Sequence, residues 1–185
     1  MEPTTQLRTI LPAVCDLVDQ LEPTDLERET PCREFDLADV IDHMMTLGGS
    51  FAYLFRGERP PVNSAGAPGD RVPSAEFRRV MDDLFEAVQS PGALERTIDA
   101  PVGSMPGEAF ARLVAFDGLV HGWDIARSAG LEYRLPDDVV AAVDEFARGA
   151  VTPAMRDGDT FADPTPPPPW ATPVDRVAAF SGRMV

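Results

Sequence analysis

The chain has 185 residues, 44% of them hydrophobic, with a formal net charge of −15 from 31 acidic and 16 basic residues. That length supports one domain with a full core, and the acidity excludes nucleic acid and anionic membrane surfaces, which are bound by dense positive fields. All 16 basic residues are arginines, so lysine Schiff bases, lysine-bound pyridoxal phosphate and the lysine of a phosphate-binding loop are excluded together.

No apolar run approaches the length needed to span a bilayer. The N-terminus carries Glu2 and a lone Arg8 where a secretory signal needs a basic segment, so a cytoplasmic location is expected. Cys15 and Cys32 make no disulfide framework, and no CxxC pattern suggests a zinc finger or redox motif.

In chain order, Thr4 or Thr5 is expected to cap a first helix whose apolar stripe runs from Leu7 through Ile10, Val14 and Leu17 to Leu21, with Pro23 closing it. Asp36 is the expected N-cap of a second helix, with Asp39 in its first turn and Gly57 at its end. On that helix His43 shares the inner stripe with Val40, Leu47 and Leu54, as a hydrogen-bonded core residue or a ligand. Glu58 to Pro73 is rich in Pro, Gly and polar residues, and its Arg59–Pro73 part is expected to be a mobile loop. Ser74 is expected to cap a third helix that buries Phe77, Val80, Met81, Leu84, Phe85 and Val88. Thr97 to Met105 can hold a short extended segment broken at Pro101. A fourth helix runs from about Glu108 to Ala129 with Gly130 as its stop, and Pro136 opens a fifth that turns Val139, Val140, Val143, Phe146 and Ala147 inward.

The tail, 164–185, is proline-rich at Pro164 and from Pro166 to Pro169. A free proline-rich ligand is one reading. The expectation is instead that it packs on the bundle, because Trp170 and the run Val174, Val177, Phe180 would be poorly placed on a free tail. The pattern therefore predicts a single all-α domain over 1–185: an up-and-down bundle of four or five amphipathic helices with a packed tail, a fold in which metal sites are built from side chains on facing helices.

The chemistry concentrates in Ala115–Arg127, AFDGLVHGWDIAR, apolar nearly all round and so expected to be central and buried. Asp117 and His121, at i and i+4, share a face. That is metal-ligand spacing, and equally the spacing of a plain hydrogen-bonded pair. Asp124, one turn on, either orients His121 as a hydrogen-bond acceptor or assists in proton transfer, or equally forms a structural hydrogen bond to an arginine. Cys32 is the one candidate nucleophile, or a packed thiol.

Several motifs in order carry a resemblance: Thr30-Pro31-Cys32 followed by Phe35, the Asp36-Leu37 helix start, His43, FRGE after the second helix, HGWDIARSAG from His121 to Gly130, and DRVAAFSGR at the end. They resemble actinobacterial metal-binding proteins of the DinB-like bundle superfamily, and are similar to the N-terminal domain of mycothiol-dependent maleylpyruvate isomerase. The resemblance implies a four-helix core and a divalent metal, zinc above all, held here by His43, Asp117 and His121. Nickel and non-haem iron suit the same ligand set. It implies mycothiol as the thiol cosubstrate; an enzyme of this kind would take a small electrophile as its second substrate, and a homodimer is one assembly open to the chain. Two departures matter: the isomerase has a glutamate where this chain has Asp117, and it has a second domain that this chain is expected to lack. Two functions follow: a metal-dependent thiol transferase or isomerase-like enzyme, with maleylpyruvate isomerisation itself not expected, or a non-catalytic metal-binding or accessory protein with a vestigial site.

Overall fold

Helix ends set by caps and left-handed glycines divide the chain. In the computed structural model, which describes residues 1–33, 35–61, 72–100, 103–156 and 161–185, they bound α1 (Pro3–Val18), α2 (Leu37–Arg56), α3 (Ser74–Val88), α4 (Gly107–Ala129), α5 (Asp137–Ala150) and α6 (Pro173–Phe180). Strands β1 (Thr97–Ala100) and β2 (Gly103–Pro106) form an antiparallel pair between α3 and α4, with Ile98 opposite Met105. Only part of this pairing, one extended segment, was expected; Pro101 lies outside the described residues. So does most of the expected loop, at 62–71.

α2 begins as its sequence predicts. The Asp36 carboxylate accepts from the Asp39 amide at 2.8 Å and the Asp39 carboxylate accepts from the Asp36 amide at 3.1 Å, a reciprocal box that satisfies two otherwise orphaned donors. Gly57, at φ 77°, closes it, and Gly130, at φ 70°, closes α4. Two caps differ from expectation. α1 starts at Pro3 beside Glu2, without a side-chain cap, because proline in the first turn has no N–H to be capped and its φ is already helical. Ser74 is the first residue of α3 rather than its cap, following Pro73.

α1 and α2 each pack against both α3 and α4. Helix directions follow from which residues meet. Ile10 and Leu11 of α1 approach Gly118 of α4, and Val14 approaches Gly122, so these two helices run parallel. His43 of α2 meets His121, and Phe51 meets Phe110, so α2 opposes α4. Arg78, near the start of α3, reaches Asp16 and Asp19 at the end of α1, so α3 opposes α1. The order is up, down, down, up, not the strict alternation expected. A short loop forces antiparallel neighbours, whereas a connection as long as 57–73 does not.

α4 is the centre. Fifteen of its residues are buried, among them Phe110, Phe116, Leu119, His121, Trp123 and Asp124. Close approach explains one of its glycines: a Cβ at Gly122 would stand 2.6 Å from the Tyr133 hydroxyl and 2.8 Å from Val14 Cγ2. The tail packs, as expected, with α6 lying on α4 and α5 and burying Val174, Val177 and Ala178. One reason given for it does not hold, since Trp170 is 82% exposed. What fixes the tail is α6's apolar face and a hydrogen bond from Trp123 Nε1 to Asp175 Oδ1 at 2.7 Å. Among the described residues no helix is long and apolar enough to cross a membrane.

Candidate metal centre

α4 carries Asp117, His121 and Asp124 on successive turns, and α2 brings His43 across from the facing side. His121 is held from both ring nitrogens. Its Nε2 lies 3.4 Å from Asp117 Oδ1, and its Nδ1 lies 3.1 Å from Asp124 Oδ2. The ring of His43 meets that of His121 edge-on at 5.0 Å between centroids, and Phe35 packs against the other side of His43 at 5.6 Å. His43, Asp117 and His121 each offer a donor atom, and the three atoms lie within 4.8 Å of one another.

Behind His121 stands a second layer. Asp124 is fully buried and accepts from Arg183 Nη2 at 2.8 Å and Nε at 3.2 Å while also bonding His121. The structure shows both contacts left open by the sequence: one carboxylate bonds the imidazole and pairs with an arginine. A carboxylate on Nδ1 fixes the tautomer that leaves Nε2 free for an ion.

Electrostatics follow from this arrangement. Burial alone would lower the His121 pKa, but Asp117 and Asp124 outweigh it and push it up to about 9. Burial would likewise raise the Asp117 carboxyl, yet His121, His43 and Arg183 hold it below the usual range. For Asp124, burial is outweighed by its hydrogen bonds to His121 and Arg183. Burial, reinforced by the neighbouring His121, lowers the pKa of His43. Without an ion the centre is thus a set of ion pairs around a protonated His121 and a neutral His43, and an ion binding at Nε2 has to displace the His121 proton.

The donors fit a divalent ion: two imidazoles and a carboxylate converge, and the imidazole on α4 is oriented from behind. Asp117 keeps 38% of its side-chain surface and opens onto a recess at the bundle's centre lined by Met44, Leu47, Phe51, Met81, Leu84 and Val114. Cys32 also approaches, with His121 and Asp124 donor atoms within the same 4.8 Å. Its thiol is partly buried and burial pushes its pKa up, so it is held protonated and is a poor nucleophile.

Sequence reasoning named His43, Asp117, His121 and Asp124, and the structure brings all four together. It did not assign Arg183 a role, although the closing DRVAAFSGR run contains it. Its partner is 59 residues away, beyond any local period.

Three comparisons bear on kinship. The chain matches the family model described as the mycothiol maleylpyruvate isomerase N-terminal domain over residues 7–126. Uncharacterized proteins from two strains of Mycobacterium tuberculosis are each 30% identical over 187 residues, covering 100% of this chain and 100% of theirs. Crystal structures of the mycothiol-dependent maleylpyruvate isomerase and of a histidine-to-alanine mutant of it share the fold at TM-score 0.57, with 13% and 12% identity, over 75% of this chain and 65% of theirs. A likeness at that identity speaks for a DinB-like bundle and no further. The family match spans four helices and every residue of the centre except Arg183, and on it the chain belongs to the mycothiol maleylpyruvate isomerase N-terminal domain family.

Proposed function

We propose that His43, Asp117 and His121 hold one divalent ion, zinc by preference, and that the chain is a metal-dependent thiol transferase or isomerase-like enzyme with mycothiol as cosubstrate. The observation that carries this reading is the convergence of three donor atoms within 4.8 Å. Three protein donors are the pattern of catalytic zinc, since structural sites are closed by four. Bound there, the ion would act as a Lewis acid and lower the pKa of a thiol reaching it.

The residues of the chain set the conditions for that chemistry. Asp124 and Arg183 hold His121 in one tautomer. Asp117 supplies negative charge on the side that faces the recess. Phe35, just before α2, covers one side of the His43 ring. Because Cys32 is held protonated, the attacking sulfur is expected from a cosubstrate. Mycothiol comes from the names of the family and of the related isomerase. Isomerisation of maleylpyruvate itself is not proposed, since the matched region covers 65% of that enzyme.

A second reading, a non-catalytic metal-binding or accessory protein, is favoured by one observation: protonated His121 and Arg183 already balance the charges of Asp117 and Asp124 without an ion. The test begins with protein purified without a polyhistidine tag, by metal analysis and by melting with and without zinc. An ion that binds only the folded state raises the melting temperature. His43→Ala and His121→Ala should abolish the increment, and Asp117→Glu should keep it. No increment in the parent chain, or an unchanged one in both histidine variants, overturns the site. With metal loaded, consumption of mycothiol by an electrophile supports the enzyme, and inactivity across a panel of electrophiles favours the second reading.

A further inference from the structure

Among the described residues a second set of three donors stands behind His121: Cys32, His121 and Asp124, whose ligand atoms lie within 4.8 Å of one another. Cys32 and Asp124 are not ligands of the ion position proposed above, and only the imidazole is common to both sets. The turn that carries the thiol is tied down, since Thr30 Oγ1 accepts from the Cys32 amide at 3.2 Å and donates to the Phe35 carbonyl at 2.7 Å. Asp124 is fully buried and faces the ring at Nδ1, at 3.1 Å, while Asp117 faces Nε2 at 3.4 Å. Each nitrogen of His121 therefore has its own carboxylate. An ion on Nε2 leaves an Nδ1 proton for Asp124, and an ion on Nδ1 leaves an Nε2 proton for Asp117, so the two carboxylates can exchange the roles of ligand and orienting acceptor.

We propose that Cys32, His121 Nδ1 and Asp124 form a second, inner ion position, selective for a thiophilic ion such as cadmium, and that an ion there excludes one from the outer position because both need the same imidazole. The inner position stands on its own donors; the exclusion rests on the outer site proposed above. Softness gives the selectivity: a thiolate favours soft ions, whereas His43, Asp117 and His121 offer only nitrogen and oxygen. Binding breaks the Cys32 S–H bond and the Nδ1–H bond of protonated His121, and both protons leave to solvent as sulfur and nitrogen take the ion. Charge favours the arrangement too. With Asp117, Asp124 and Arg183 charged, a divalent ion at the outer position leaves the centre with one positive charge in excess. At the inner position the Cys32 thiolate cancels that excess, and an unbalanced charge held away from water is costly. Arg183 Nη2, at 2.8 Å from Asp124 Oδ2, has to give way to the ion, while Arg183 Nε retains Oδ1 at 3.2 Å.

The experiment uses the full chain without a polyhistidine tag, both cysteines reduced, and cadmium as the probe. The expected result is one bound cadmium per chain with an ultraviolet sulfur-to-metal charge-transfer band. That band should persist in His43→Ala, which lacks an outer ligand, and in Cys15→Ala, whose own thiol is buried in α1, and it should be lost in Cys32→Ala. Should the alanine variant fail to fold, Cys32→Ser serves instead, since it keeps the size and removes the sulfur. Zinc added to the cadmium-loaded parent should leave the total at one ion per chain. The proposal is overturned if cadmium does not bind or binds without the band, if the band survives removal of the Cys32 sulfur or disappears in His43→Ala, or if cadmium and zinc bind together. Cys32→Ala should keep the zinc-dependent rise in melting temperature; its loss there would place zinc at the inner position and overturn the selectivity. No rise in the parent chain, with the cadmium band intact, sinks the outer site and leaves the inner one standing, so the two fail separately.

Discussion

Two arginine–aspartate pairs in this molecule have nearly the same contacts and sit in opposite surroundings. Arg56, at the end of α2, places Nη1 and Nη2 at 3.1 Å and 2.6 Å from the two carboxylate oxygens of Asp83 on α3, and both side chains are partly open to solvent, at 30% and 43%. Arg183, after α6, places Nη2 and Nε at 2.8 Å and 3.2 Å from those of Asp124, with the side chains 12% and 0% exposed. Water can take over either partner of the first pair. It cannot reach Asp124. The first pair therefore contributes little, and the second supports the centre, because a buried carboxylate that loses one of its two partners, Arg183 and His121, is costlier than the pair is favourable.

The largest expected effect follows from that contrast. Arg183→Ala leaves Asp124 buried with His121 as its one remaining partner and should cost about 3 kcal/mol, read as a fall in urea or thermal midpoint. It should also weaken zinc binding by about 10–100-fold, because Asp124 no longer fixes His121. Arg183→Lys should recover part of both, since it restores charge without the planar fork. The double variant Arg183→Met, Asp124→Leu separates the two roles. It should regain much of the stability, because an apolar pair of similar bulk suits a buried site, yet not the zinc affinity, because His121 Nδ1 has lost its acceptor. Stability and zinc affinity recovering together would show that Asp124 acts only as packing.

The same contrast explains what could be read from the sequence. Capping residues are local signals, and so Asp36 to Gly57 and the stop at Gly130 were legible to the residue. The i, i+4 spacing made Asp117 and His121 legible as a pair, and an inward stripe put His43 on the right face, although only the fold shows that the stripes meet. Arg183 was not legible as a partner, since nothing in the residues around Asp124 specifies a guanidinium from the far end of the chain. Gln6 was missed for a related reason: a glutamine in an otherwise apolar stripe reads as a border residue, yet it is fully buried with neither side-chain polar atom paired among the described residues. Trp170 misled by its size, since large aromatics are usually covered and this one is exposed.

An intermediate effect is expected where the tail is tied at half-buried depth. Asp175 accepts from Trp123 Nε1 at 2.7 Å with one oxygen and from the Thr172 amide at 2.9 Å with the other, closing the capping box of α6. Asp175→Ala removes both bonds and leaves the indole N–H without its acceptor, for an expected loss of about 1–2 kcal/mol in urea unfolding. Asp175→Asn retains an acceptor for Trp123 and should fall between. A loss indistinguishable from zero in the alanine variant would mean that Val174 and Val177 alone hold the tail, and the gradation of the pairs with burial would lose its middle member.

The smallest effect belongs to the exposed pair, and its sign with pH can be worked out. The hydrogen bond from Arg56 holds the Asp83 carboxyl below its ordinary value, against a partial burial that would raise it. A carboxylate with a depressed folded pKa stabilises fully above its unfolded value, near about pH 4, and that stabilisation is lost as pH falls through the folded value. Asp83→Asn should therefore be less stable than the parent at neutral pH by about 0.2–1 kcal/mol, the range of exposed pairs. The difference should close as the pH drops below about 4 and should shrink in molar salt, where screening reaches exposed charges but not Asp124. Urea unfolding of the two proteins across this pH range, with and without added salt, makes the measurement. A difference that ignores both pH and salt would mean that solvent access is not what separates the Arg56–Asp83 pair from the Arg183–Asp124 pair.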